Sequence, residues 1–351
     1  MQKTNNLIIQ NAFEDLQMIL ESDEYNKVLV WLTGKRESTI LFHMCNMLDK
    51  GNKCEYIFFY TDVTLGADME HMEYLSEKYN QEILIGDISG IVKDTCNKYG
   101  EPFLSMVVSY NIARLQEMDF EWEDKPFEVL CNEYLEIVDK PSNKNTFEMN
   151  SKYYKGSYGA LRWWCNQYDS KVYNINKNAY LKEFIMENPP EFRISDKCCK
   201  EVIKKPLHKY ATKNKFDIVL TDSMDIKGSM KSKRGNKFIK ANYINKKYDQ
   251  YMPLFNFSEK DIMEYKKLYE LKFSDSYEVY HNTGGICIGC PYGGLEGINA
   301  DMRMTERFAQ GTGMRARKVF ENSYKYTKEY TEYAIRNGKR FNNKRGRRIF
   351  E

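Results

Sequence analysis

Between residues 27 and 85 the sequence alternates short apolar runs with segments of helical periodicity, and this alternation leaves few folds open. The run Lys27-Val-Leu-Val-Trp-Leu-Thr33 has the length and β-branched content of a buried strand. After Thr33-Gly34, the residues Thr39, Ile40, Leu41, Met44, Met47 and Leu48 recur at helical spacing. A strand at 56–60, a helix at about 67–79 and a strand at 82–85 continue the pattern. Such repetition predicts right-handed βαβ crossovers and an α/β fold, an open, mostly parallel, twisted sheet flanked by helices. A helix at about 8–21 precedes the first strand, and the sheet is expected to resume at Phe216-Asp-Ile-Val-Leu. Residues 88–185 read as a mainly helical insertion. Ser258-Glu-Lys-Asp261 has the spacing of a capping box and predicts a helix over 261–271. The organisation expected is a leading helix over 1–24, an α/β domain over 25–300 carrying the insertion, and a basic, helical region over 301–351.

Composition supports a globular chain of 351 residues, with 42% hydrophobic and 29% charged residues. No run of eighteen apolar residues occurs, and Met-Gln-Lys-Thr-Asn-Asn at the start lacks the pattern of an export signal. A cytoplasmic protein with no membrane segment is expected, and a homo-oligomer is left open. Nine cysteines, an odd number, argue for reduced thiols and metal ligation over a disulfide framework. The net charge of +3 is unevenly spread: 226–248 is rich in lysine, and 336–348 carries seven basic residues with no acid. Such blocks suit the phosphates of a nucleotide or a nucleic acid, or are solvated surface.

Four cysteines carry the strongest chemical signal. Cys198 and Cys199 are adjacent, and Cys287 and Cys290 form a Cys-x-x-Cys pair within Gly284-Gly-Ile-Cys-Ile-Gly-Cys-Pro-Tyr-Gly-Gly294. The turn of a Cys-x-x-Cys pair lets two sulfurs converge, and its glycines let backbone N–H groups approach sulfur. Zinc ligands are usually spaced by two to four residues, so tandem cysteines favour an iron–sulfur cluster. A zinc site and plain buried thiols are the competing readings.

This arrangement resembles a branch of the phosphoadenosine phosphosulfate (PAPS) reductase family, the assimilatory adenylyl-sulfate reductases, in which a CC…CxxC set holds a [4Fe–4S] cluster. Phe192-Arg-Ile-Ser-Asp-Lys-Cys-Cys-Lys200 with Lys204-Lys205-Pro206 is similar to the "SDKCC…KKxP" segment of PAPS-reductase-like proteins. Pro253-Leu-Phe-Asn-Phe-Ser-Glu-Lys-Asp-Ile262 resembles their "PL…W(T/S)xxDI" segment. The resemblance covers roughly 25–330 and implies an adenine-nucleotide α-hydrolase-like fold, binding of ATP, adenylyl sulfate or PAPS, and sulfur transfer or reduction, with thiolation one form of it. A non-catalytic nucleotide- or nucleic-acid-binding protein derived from the family is the alternative.

Site residues follow from the same resemblance. Thr33, Gly34, Lys35, Arg36, Glu37 and Ser38 correspond to the family's "SGGKDS" phosphate loop, with Lys35 in place of the second glycine. Hydroxyls, two cations and a helix N-terminus still make an anion site. Asp62 ends the second predicted strand where relatives carry "D-T-G" or "N-T-G"; it is a candidate for a ribose hydroxyl or a metal, or a helix cap. Ser157-Tyr-Gly-Ala-Leu-Arg162-Trp163-Trp164-Cys165 resembles the "RWCT" element, which implies Arg162 as a two-pronged phosphate or sulfate donor and a tryptophan as a base-stacking surface. Lys231 stands where the family's substrate segment has arginine. No cysteine follows Cys290, so the C-terminal Glu-Cys-Gly nucleophile of the reductases has no counterpart. Cys45, Cys54, Cys96 and Cys131 remain by elimination, with Cys45 and Cys96 in apolar helical patterns.

Overall fold

A computed structural model describes residues 4–135, 154–169, 173–224, 237–241, 247–282 and 286–338. The chain forms two compact units, the first from residues 1–92, 200–288 and 301–316, the second from 93–199, 289–300 and 317–351.

The first unit is built on a six-stranded sheet of order β3-β2-β1-β4-β6-β5. Its strands are β1 (Val28–Leu32), β2 (Cys54–Tyr60), β3 (Ile83–Asp87), β4 (Ile218–Thr221), β5 (Phe238–Ile239) and β6 (Asp249–Tyr251). All pairings are parallel except the edge pair β5/β6. The expected α/β architecture is therefore present, with one antiparallel edge. The period-2 alternation of a strand sorts its residues between two faces. Val28, Val30 and Leu32 join Tyr56, Phe58, Ile218 and Leu220 in a core. That core is closed by α1 (Leu7–Glu21), α2 (Arg36–Leu48), α3 (Gly66–Tyr79) and a later helix at Glu259–Leu268. On the opposite face, Leu29, Ile57 and Val219 pack on Leu207 and Ala211. Each Val, Leu or Phe fully withdrawn from water contributes roughly 1.5–3 kcal/mol.

In chain order the next helices are α4 (Ile91–Tyr99), α5 (Met106–Gln116), α6 (Phe127–Tyr134), α7 (Tyr154–Trp164), α8 (Leu181–Glu187) and the short α9 (Lys197–Cys199). The helical reading of the described part of 88–185 matches these elements. In the second unit α5, α6, α7, α8 and a C-terminal helix at Glu321–Arg336 enclose an aromatic core containing Phe103, Trp163, Trp164, Phe184, Tyr326 and Tyr330.

A π-helical turn at Lys200–Lys204 leads into α10 (Lys205–Lys213). Pro206 lacks the N–H that would close the α ladder there, which accounts for the widened turn. The remaining helices are α11 (Glu259–Leu268), α12 (Asp275–Glu278), α13 (Gly294–Phe308), α14 (Gln310–Val319) and α15 (Glu321–Arg336). No described helix is long and apolar enough to cross a membrane.

Candidate functional site

In the first unit the strand order reverses at β1. The chain proceeds from β1 outward to β2 and β3, while β4, β6 and β5 lie on the other side. At such a switch point the carboxyl ends of two neighbouring strands flank a crevice, the usual ligand position in open α/β sheets. Here the two strand ends are joined directly: the Thr33 hydroxyl, just after β1, donates to the Asp222 carboxylate just after β4.

Gly34 follows at φ +81°, and a Cβ there would stand 2.9 Å from the Cβ of Asp68. Both facts require glycine. Helix α2 then begins at Arg36 with no side-chain cap; the N–H groups of Ser38 and Thr39 bond to the Lys35 carbonyl at 3.1 and 3.3 Å. The Ser38 hydroxyl also donates to that carbonyl, at 2.8 Å. The loop therefore has the tight entry and uncapped helix N-terminus of an anion cradle.

Three carboxyls surround it. Asp68 accepts from the hydroxyls of Ser274 and Ser276 at 2.8 and 2.5 Å, and burial raises its pKa to about 6 against those two bonds. Burial also raises Glu37, with Asp222 adding to the rise and Lys35 and Arg36 opposing it. Tyr277 is pushed well up by burial and then by Asp68, Glu37 and Asp222. Arg36 lies over the Tyr277 ring at 5.5 Å and bonds Glu259 at 3.0 Å, while its Nε makes no hydrogen bond. The crevice thus pairs anion-directed groups with Asp68, an acid whose pKa is raised to about 6. Asp68, Asp222, Ser274, Ser276 and Tyr277 are absent from the sequence-derived set. Asp222 carried a signal, since it ends an apolar run as Asp62 does.

Asp62 caps α4: its carboxylate accepts from the N–H groups of Gly90 and Val92 at 3.2 and 3.3 Å. Its carbonyl accepts from Arg315 Nε at 2.7 Å. Of the roles considered for it, helix capping is the one these contacts display, and the helix is α4, not the adjacent α3. In the same unit Cys287 precedes Ile288, whose N–H bonds the Val63 carbonyl at 3.0 Å.

In the second unit Cys198, Cys199 and Cys290 all lie within electrostatic reach of Tyr292. Cys198 is buried and the other two are half-buried. The Tyr292 hydroxyl is raised well above its ordinary pKa, first by burial and then by Cys199, Cys290 and Cys198, with Ser109 opposing. Its side-chain partner is Ser109, at a geometry short of a full hydrogen bond. The Tyr324 hydroxyl bonds the Gly289 carbonyl and holds the turn before Cys290. No cysteine of the chain is in a disulfide. Among the described residues no group of three or more His, Cys, Asp or Glu is placed to hold a metal ion.

Arg162 is engaged locally, donating to the Gln167 carbonyl at 2.7 Å and lying 4.4 Å from the Tyr168 ring. Trp163 and Trp164 are 1% and 0% exposed, so they are core residues and offer no stacking surface to a base. Lys231, most of the basic segment 226–248 and all but the start of 336–348 lie outside the described residues. Cys45, Cys54, Cys96 and Cys131 are buried.

No family model and no curated protein matches the chain. Among solved structures it is similar to the phosphoadenylyl-sulfate (PAPS) reductase of Candida auris in a phosphate complex, at 9% identity and a TM-score of 0.38 over 81% of this chain and 97% of that one. The U34-tRNA thiolase NcsA of Methanococcus maripaludis, with its [4Fe–4S] cluster, gives 12% identity and a TM-score of 0.38 over 98% and 84%. The NH3-dependent NAD synthetase of Campylobacter jejuni gives 11% and 0.33 over 91% and 95%. Likenesses of this degree carry no argument about function.

Proposed function

We propose that this chain is a PAPS-reductase-like protein that binds an adenine nucleotide or adenylated substrate at the β1–α2 turn and acts in sulfur transfer or reduction. In this reading Cys198, Cys199 and Cys290, with Cys287 as the fourth ligand, hold a [4Fe–4S] cluster. The carrying observation is that Cys198 and Cys199 act electrostatically on the same buried hydroxyl, that of Tyr292, as Cys290, about ninety residues on. Thiolates are the ligands such a cluster takes. When bound, the cluster would supply a thiolate-ligated, charged centre for sulfur chemistry.

At the β1–α2 turn, Gly34 admits close backbone approach, the start of α2 offers N–H groups, and Lys35 and Arg36 offer charge. Asp68, whose pKa of about 6 keeps it partly protonated near neutrality, offers a proton to a phosphate oxygen. Anaerobic protein titrated with ATP, adenylyl sulfate and PAPS tests this. Binding of at least one is expected, weakened by about 1–3 kcal/mol in Arg36→Ala. Absence of binding to all three contradicts it.

A second reading, binding without turnover, is favoured by one contact. Arg36 pairs with Glu259 at 3.0 Å and lies 3.9 Å from Glu37, so its charge is partly neutralised before any ligand arrives. Tight binding with no consumption of any of the three nucleotides would select it.

A further inference from the structure

The second unit contains a cavity of about 350 Å³ between the end of α4, α5 with the loop after it, and the segment leading to Cys198. That is the lower end of the roughly 300–1,000 Å³ typical of small-molecule sites, and leaves room for one nucleotide-sized group. Its frame is fixed by backbone and amide contacts. Gln116 donates to the Phe192 carbonyl at 2.8 Å and accepts from the Ile194 N–H at 2.9 Å. Gly100, at φ +107°, lets residue 193 pass where a Cβ would stand 2.2 Å from its carbonyl oxygen.

The walls combine aromatic rings with exposed charge. Tyr99 and Trp122 line it, and Trp122 sits edge-on to Phe120 at 5.7 Å. The backbone of Trp122 has φ +55°, a left-handed conformation unfavourable for a bulky residue, of a kind that concentrates at binding sites. Arg193, exposed, and Lys197, half-buried, also line the cavity, along with the acids Glu117, Asp119 and Asp196. Arg114 pairs with Glu117 but keeps a buried Nε without a hydrogen-bond partner. Flat aromatic walls suit a heteroaromatic ring, and the cations suit its phosphate.

We infer that this cavity binds one nucleoside monophosphate unit, free or as an unpaired residue of a nucleic acid strand, with the base against Trp122 and Tyr99 and the phosphate toward Arg193 and Lys197. The site is separate from the β1–α2 turn and does not depend on the nucleotide reading given for that turn. Lys197 immediately precedes Cys198, so the ligand would lie beside the tandem cysteines.

Calorimetric titration of the full chain with nucleoside monophosphates, a short single-stranded oligonucleotide and inorganic phosphate tests the inference, with tryptophan fluorescence as a second readout. Binding is expected to quench tryptophan emission in the parent protein, and the quench should disappear in Trp122→Phe. Arg193→Ala, a change at an exposed side chain, should weaken binding about tenfold. Comparable affinity for free nucleotide and oligonucleotide supports a free ligand; binding of the oligonucleotide alone supports a strand. Three results would each overturn the inference: no binding, binding that Arg193→Ala and Trp122→Phe both leave unaltered, or an affinity for inorganic phosphate equal to that for the nucleotides, which would show that no base is recognised.

Discussion

Two residues at the β1–α2 turn set its character. Gly34 combines φ +81° with a 2.9 Å approach to Asp68, so Gly34→Ala should cost about 1–3 kcal/mol, measured by denaturant unfolding. Asp68 acts through charge. Burial lifts its folded pKa from the ordinary 3.8 to about 6, so its favourable contribution is complete below pH 4 and is lost as pH rises through 6. Asp68→Asn removes that dependence, and both serine bonds fall on Oδ1, an atom the amide retains. The variant should therefore gain on the parent by up to about 3 kcal/mol between pH 4 and pH 7 in parallel unfolding curves. A constant difference across that range would show that Asp68 does not titrate there. The glycine was legible in the sequence because a loop after a strand announces itself locally. Asp68, Ser274 and Ser276 were not, because their meeting joins residues about two hundred positions apart.

At the scale of elements, most of the sheet and its first helices can be read from periodicity. Helix α1 and strands β1 to β4 fall within a few residues of their expected positions, and Ser258 and Asp261 form the reciprocal capping bonds that their spacing predicts. Strands β5 and β6 have two and three residues, too few for alternation to register. Arg162 illustrates another limit: its partners, the Gln167 carbonyl and the Tyr168 ring, are supplied by the next turn of chain and not by the motif. Helices α2 and α3 each bury a histidine. His43 bonds the Tyr265 hydroxyl and His71 the Thr39 hydroxyl, both at 2.9 Å. Burial lowers each pKa to about 4 from 6.5. Their stabilising contribution is therefore present above pH 6.5 and lost as pH falls toward 4. Each is expected to account for up to about 3 kcal/mol of acid destabilisation, and His71→Gln should flatten the stability profile over that window. An unchanged profile would contradict the assignment.

For the whole molecule, the α/β class was legible because a parallel sheet demands apolar strands separated by crossover helices, a pattern that survives extensive sequence change. Chemistry was less legible, since it depends on side chains gathered from distant segments. The cysteines were singled out by their spacing alone; Cys198, Cys199 and Cys290 act electrostatically on Tyr292, and among the described residues no group of three is placed to hold a metal. Iron and acid-labile sulfide analysis of protein reconstituted without oxygen, alongside its visible spectrum, addresses the cluster most directly. The account predicts brown protein with about four irons per chain, as a [4Fe–4S] cluster requires, and loss of that iron in Cys198→Ala and Cys290→Ala with the fold retained. Stoichiometric zinc with no visible absorption, or iron uptake unaffected by both substitutions, would contradict it.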